Sequence, residues 1–83
     1  MKQRREKMRE KIIEIMREFN EELVEDMNRD LLATDILDSF DIVKLVVEFE
    51  DAFDIMIDVD EVTPENFQTA NKIVEMIARI VEK

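Results

Sequence analysis

The sequence predicts an all-α protein, a bundle of three longer helices and one short helix with a long loop between the first two. Three observations predict it. The chain holds no Gly and a single Pro, Pro64. Glycine is the residue that lets tight turns reach positive φ, so a hairpin-rich β protein is disfavoured. Apolar residues, rich in Ile, Val and Met, recur at steps of three and four, the spacing of one helix face. Charged residues make up 41% of the 83 positions and apolar residues 46%, which provides one modest core under a solvated surface. Residues 1–83 therefore read as one domain.

The first helix is expected over residues 3–21, with Met8, Ile12, Ile15, Met16, Phe19 and Leu23 as its apolar stripe. Its first turns are basic, which opposes the helix dipole and predicts a frayed start over residues 1–5. Residues 22–38 lose the helical period. A connection of that length in a small domain is unusual and often functional. Leu23, Val24, Met27, Leu31, Leu32, Ile36 and Leu37 give it anchors on the core.

The second helix is expected to start at Asp38, a good N-cap. Asp41 lies three residues on, where its carboxylate can reach back to the cap N–H. The helix runs to about Phe53, with Ile42, Leu45, Val46, Phe49 and Phe53 as its core stripe. Phe40, Val43 and Val47 form a second, displaced row. They are either an exposed contact surface or the sign of a helix buried on two sides; periodicity leaves both open. Residues 54–62 alternate apolar and polar, but no second strand is present to pair with them. They read as an extended connector with Ile55, Ile57 and Val59 turned inward. Thr63 and Pro64 are a cap and a first helical position, opening a short helix of about one turn. Thr69 is expected to cap the last helix, residues 70–82, whose inner face is Ala70, Ile73, Val74, Ile77, Ile80 and Val81.

Composition excludes several functions. The chain has no Cys and no His, so disulfides, the usual zinc sites and imidazole or thiol catalysis are ruled out. An EF-hand is absent too: Asp54, Asp58 and Asp60 cluster, but without the turn glycine or the twelfth-position Glu. No stretch approaches the ~18 uninterrupted apolar residues of a membrane span, and no apolar segment follows the basic N-terminus as in a secretory signal. A cytoplasmic location and a monomer are the defaults. Net charge is −10: residues 1–11 carry six basic and two acidic side chains, and residues 12–83 are net −14. Such a surface repels nucleic acid and attracts basic protein surfaces.

The chemistry concentrates at Asp35-Ile36-Leu37-Asp38-Ser39-Phe40-Asp41. Ser39 follows the cap, at the edge of the fold, beside N–H groups with no intrahelical partner, a favourable place for a phosphate ester. On its own the pattern is common, and a spare capping residue is the ordinary reading. Nothing in the chain can activate the hydroxyl, which normally needs an adjacent base. If Ser39 reacts, another protein supplies the catalysis, and this chain is not an enzyme.

The run Leu37-Asp38-Ser39-Phe40-Asp41-Ile42-Val43, followed by Glu48, Phe49, Glu50, Phe53 and Asp54, resembles the acyl carrier protein signature. The resemblance continues through Asp30-Leu31-Leu32 before the motif and Glu65-Asn66-Phe67-Gln68-Thr69 after it, so it covers nearly the whole chain. It implies an acyl-carrier-like bundle in which Ser39 takes 4′-phosphopantetheine from coenzyme A, attached by a separate phosphopantetheinyl transferase that Asp38 helps to recognise. It implies a docking row of Phe40, Val43 and Val47, and an acidic rim of Asp41, Glu48, Glu50 and Asp51 for enzymes with basic surfaces. The arm would carry an acyl or aminoacyl thioester. Fatty acid, polyketide, aminoacyl and D-alanyl carriers share the motif. Two positions depart from the pattern. Asp35 stands where the family usually has Gly; Asp tolerates the left-handed region better than most residues, so the turn is expected to survive. Lys44 replaces a commonly acidic position on the recognition helix, which retunes partner choice. The reading from a different class is an acidic interaction module of the same shape that is never modified.

Overall fold

Caps and interruptions decide where each helix of this chain ends. The computed structural model describes residues 2–82, with side chains from Glu6 onward; where the sequence predicts a frayed start, the backbone of residues 2–5 is helical. Helix α1 spans Lys2–Phe19. It stops two residues short of the expected end because Asn20 competes for the backbone: its Oδ1 accepts from the Glu22 N–H at 3.0 Å and its carbonyl from the Leu23 N–H at 3.0 Å. The chain turns there and forms α2, a single turn over Glu22–Glu25 that buries Leu23. The short helix of the bundle thus lies at the head of the long loop. The one expected at Pro64 is a hydrogen-bonded turn, with the Phe67 N–H on the Pro64 carbonyl at 3.2 Å. It cannot extend, because the Gln68 carbonyl turns away to accept from the Leu31 N–H at 2.7 Å.

Helix α3 covers Ser39–Phe53 and α4 covers Ala70–Val81. Both begin where their caps predict, with the Thr69 hydroxyl accepting from the Lys72 N–H at 3.1 Å. Helix α1 packs against α2, α3 and α4. Its Lys11 meets the end of α3, with Nζ 3.5 Å from the Ala52 carbonyl and 5.1 Å from the centre of the Phe53 ring. A cation there suits the negative pole of that helix. The core joins Ile12 and Met16 of α1, Leu45 and Phe49 of α3, and Ile73 and Ile77 of α4, with Leu31, Leu37 and Phe67 closing it from the connections. Among the described residues no buried side chain is polar, and no helix is long and apolar enough to cross a membrane.

Two positions correct the sequence reading of the core. Val59 is 79% exposed, not turned inward. The Asp58 carboxylate accepts from the Asp60 N–H at 2.9 Å and starts a 3-10 turn over Val59–Glu61, which breaks the alternation after Ile57. Met76 is fully buried although it lies off the expected stripe. Helix α4 is covered by α1 and also, at its start, by the long loop, whose Met27 carbonyl accepts from the Asn71 N–H at 3.1 Å.

The long loop is stitched down through Asp30. Its carboxylate accepts from the N–H groups of Leu32 at 3.1 Å and Ala33 at 2.9 Å, and from the Gln68 amide at 3.1 Å. The Ala33 bond foremost, with those of Gln68 and Leu32, holds this carboxyl below the ordinary aspartate range. A depressed folded pKa stabilises above the unfolded value, and that contribution is lost as pH falls through the folded value. The stability difference between wild type and Asp30→Asn, read from chemical melts, is therefore expected to be largest near neutral pH. It should shrink as pH drops below about 4; a difference independent of pH would exclude the charged carboxylate as the anchor.

Candidate functional site

The approach to Ser39 is built by a tight turn, a buried anchor and a cap. Asp35 has φ 60°, in the left-handed region that Asp reaches at less cost than most residues. The turn thus survives without glycine. Substitution there should rank stability as Gly above Asp above Ala, with Asp35→Gly raising the melting temperature by ~2–4 °C and Asp35→Ala lowering it. An Ala variant as stable as the Gly variant would mean the strained φ carries no cost. After the turn, Leu37 is buried and its N–H bonds the Leu31 carbonyl at 3.0 Å. Asp38 then caps α3: its Oδ1 accepts from the Asp41 N–H at 2.8 Å while Asp41 Oδ2 accepts from the Asp38 N–H at 3.3 Å. This is a reciprocal capping box made of two carboxylates.

Ser39 is the first residue of α3 and is exposed. Its hydroxyl makes no hydrogen bond with any described residue, since both flanking carboxylates are engaged with backbone N–H groups. The N–H groups of Ser39 and Phe40, in the first turn, have no intrahelical acceptor. Beside Ser39 opens a cleft of about 410 Å³, lined by Leu32, Ile42, Val43, Val62, Thr63 and Pro64 with Ser39 itself at its edge. Val62 at the end of the connector, with Thr63 and Pro64 after it, supplies three of the seven lining residues, which the sequence reading did not identify as part of the site.

The outer surface of α3 resolves the alternative that periodicity left open. Phe40, Val43 and Val47 are 66%, 61% and 48% exposed, so the second row faces solvent. Glu48 and Asp51 are exposed beside it. The other two rim positions are occupied within the chain: Asp41 in the capping box, and Glu50, whose carboxylate accepts from the Ile57 N–H at 2.9 Å and pins the connector. Lys44 lies with Nζ 4.4 Å from the centre of the Phe40 ring, one helical turn away. Among the described residues no group of three or more acidic side chains is arranged to hold a metal ion.

Known proteins are similar to this chain in sequence along most of its length. A D-alanyl carrier protein of Streptococcus sanguinis is 41% identical over 70 residues, which is 83% of this chain and 89% of that protein. One of Streptococcus suis is 39% identical over 75 residues, 89% and 95% of the two chains. One of Lactococcus lactis subsp. cremoris is 41% identical over 78 residues, 92% and 95%. No family model matches the chain, and no solved structure matches it. With about two-fifths identity sustained over nearly the full length of these relatives, the chain belongs to the D-alanyl carrier protein family, a group of small acyl-carrier-type proteins.

Proposed function

We propose that Ser39 is the attachment point of 4′-phosphopantetheine and that the loaded protein carries D-alanine between enzymes. The observation that supports this most is the state of the Ser39 hydroxyl: exposed at the first turn of a capped helix and hydrogen-bonded to none of the described residues, in a chain without His or Cys. Such a hydroxyl serves as an acceptor for chemistry performed by another protein. The free N–H groups of the first turn favour a phosphate ester there. The adjoining apolar cleft offers the first atoms of the arm a wall of Leu32, Ile42, Val43 and Val62. When attached, the arm supplies the thiol that a chain without Cys lacks.

The relatives favour D-alanine over a fatty acyl or polyketide cargo, since each is a D-alanyl carrier protein. The roles assigned to the remaining residues are those the resemblance implies, and their placement supports them. Asp38 holds Ser39 in register at the helix start and faces an arriving phosphopantetheinyl transferase. Phe40, Val43 and Val47 form an apolar contact row, with Glu48 and Asp51 as acidic flanks for basic partner surfaces. The protein acts as a carrier in the cytoplasm and catalyses nothing itself.

The test is the intact mass of the purified protein before and after incubation with coenzyme A, Mg²⁺ and a broad-specificity phosphopantetheinyl transferase. A gain of one phosphopantetheine is expected, followed by a gain of one alanyl group on adding a D-alanine-activating enzyme with ATP and D-alanine. No gain in a folded sample would leave the unmodified interaction module as the reading.

A further inference from the structure

We infer that Lys44 is a specificity-determining residue: it requires the enzyme that loads this carrier to present a carboxylate close to where Ser39 meets it. The inference rests on the reading of Ser39 as a carrier site. Helix α3 carries four carboxylates and one cation, Lys44. That cation is placed by the Phe40 ring, 4.4 Å from its ammonium, a contact that holds an exposed lysine in one region of the surface. Phe40 follows Ser39 directly, so the positive charge sits at the Ser39 end of the apolar row, while the exposed carboxylates Glu48 and Asp51 lie toward the other end.

Among the described residues no ion pair engages that charge, and Lys44 has the Phe40 ring as its contact. An enzyme that docks on Phe40 and Val43 covers the ammonium and strips its water. A covered cation without an anion is strongly disfavoured, whereas one matched by a partner carboxylate keeps its interaction energy and fixes the register of docking. A uniformly basic footprint, suited to Glu48 and Asp51, meets Lys44 as a like charge and is rejected. The partner surface that fits is therefore polar in sequence along α3: acidic near Ser39, apolar across Val43 and Val47, and basic beyond.

The experiment uses the full chain, converted to its pantetheinylated form and verified by intact mass, with the cognate D-alanine-activating enzyme, ATP and D-alanine. Loading kinetics are compared for wild type, Lys44→Arg, Lys44→Met and Lys44→Glu, each with its melting temperature. The expected result is a KM for carrier raised about tenfold by Lys44→Met and further by Lys44→Glu, with kcat within about twofold and Lys44→Arg close to wild type. Reversing the matching carboxylate of the enzyme to Lys should restore loading of Lys44→Glu, which a merely structural role would not allow. A KM unchanged or lowered by Lys44→Glu overturns the inference, as does an equal defect in all three variants that tracks their melting temperatures. A wild-type protein that gains no pantetheine fails at the carrier reading itself, and one that gains it but is not loaded fails at the cargo and its enzyme.

Discussion

Ser39→Ala is expected to abolish the gain of phosphopantetheine completely while leaving the fold within about 0.5 kcal/mol of wild type. The two halves of that expectation have separate origins. The hydroxyl is the only reactive atom offered at the start of α3, so its removal leaves the transferase no acceptor. Yet it makes no hydrogen bond with the described residues, and the cap of the helix belongs to Asp38. Ala also has the higher helix propensity, which offsets whatever solvation the hydroxyl provides. Asp38→Ala is the informative contrast. It removes the acceptor of the Asp41 N–H bond and is expected to cost ~1 kcal/mol, yet it keeps the modifiable serine. Intact mass and thermal melts of the two variants separate the cap from the acceptor. A modified Ser39→Ala protein would show that the attachment site lies elsewhere.

Phe49→Ala is expected to be among the most damaging single changes to stability. Phe49 lies on the inner side of α3 and is completely buried. Truncating such a ring costs about 3–5 kcal/mol through lost transfer energy and the cavity left behind. A domain of this size has roughly 4–12 kcal/mol of total stability. The melting temperature should fall by about 12 °C or more. Val47→Ala, two residues earlier on the half-exposed outer row, should change stability by no more than about 0.5 kcal/mol. Comparable losses from the two substitutions would mean that the inner and outer faces of α3 have been assigned the wrong way round.

The parts of the fold that depend on local chemistry were legible in the sequence. Helices α3 and α4 begin where Asp38 and Thr69 place a side-chain acceptor three residues before an orphan N–H. The left-handed turn at Asp35 follows from residue type in the same way, whereas the second row of α3 was visible only as a row, and its exposure needed the structure. The parts that depend on distant neighbours were not. Val59 turns outward because Asp58 captures a backbone N–H and winds a 3-10 turn, a choice that alternation cannot show. Met76 is buried off the expected stripe, and the long loop comes to lie over the start of α4, through bonds between Asn28 and Asn71 and between Leu31 and Gln68. Lys11 reads as one of many basic N-terminal residues until the fold brings it to the end of α3, 41 positions away. The place of Ser39 at the exposed start of α3 was legible from the cap before it, but the cleft beside it needs Val62, Thr63 and Pro64 to return alongside α3. The contact of Lys44 with Phe40 had a signal in its i, i+4 spacing, which the charge of the residue obscured.

The bare apolar row of α3 also bears on how copies of the protein behave toward each other. A symmetric pair would join the same patch on both molecules. Phe40, Val43 and Val47 of one copy would then meet the same row of another. With a net charge of −10 on each molecule, that encounter is repulsive at long range. The surface can stay sticky for partners of opposite charge and still remain colloidally inert at high concentration.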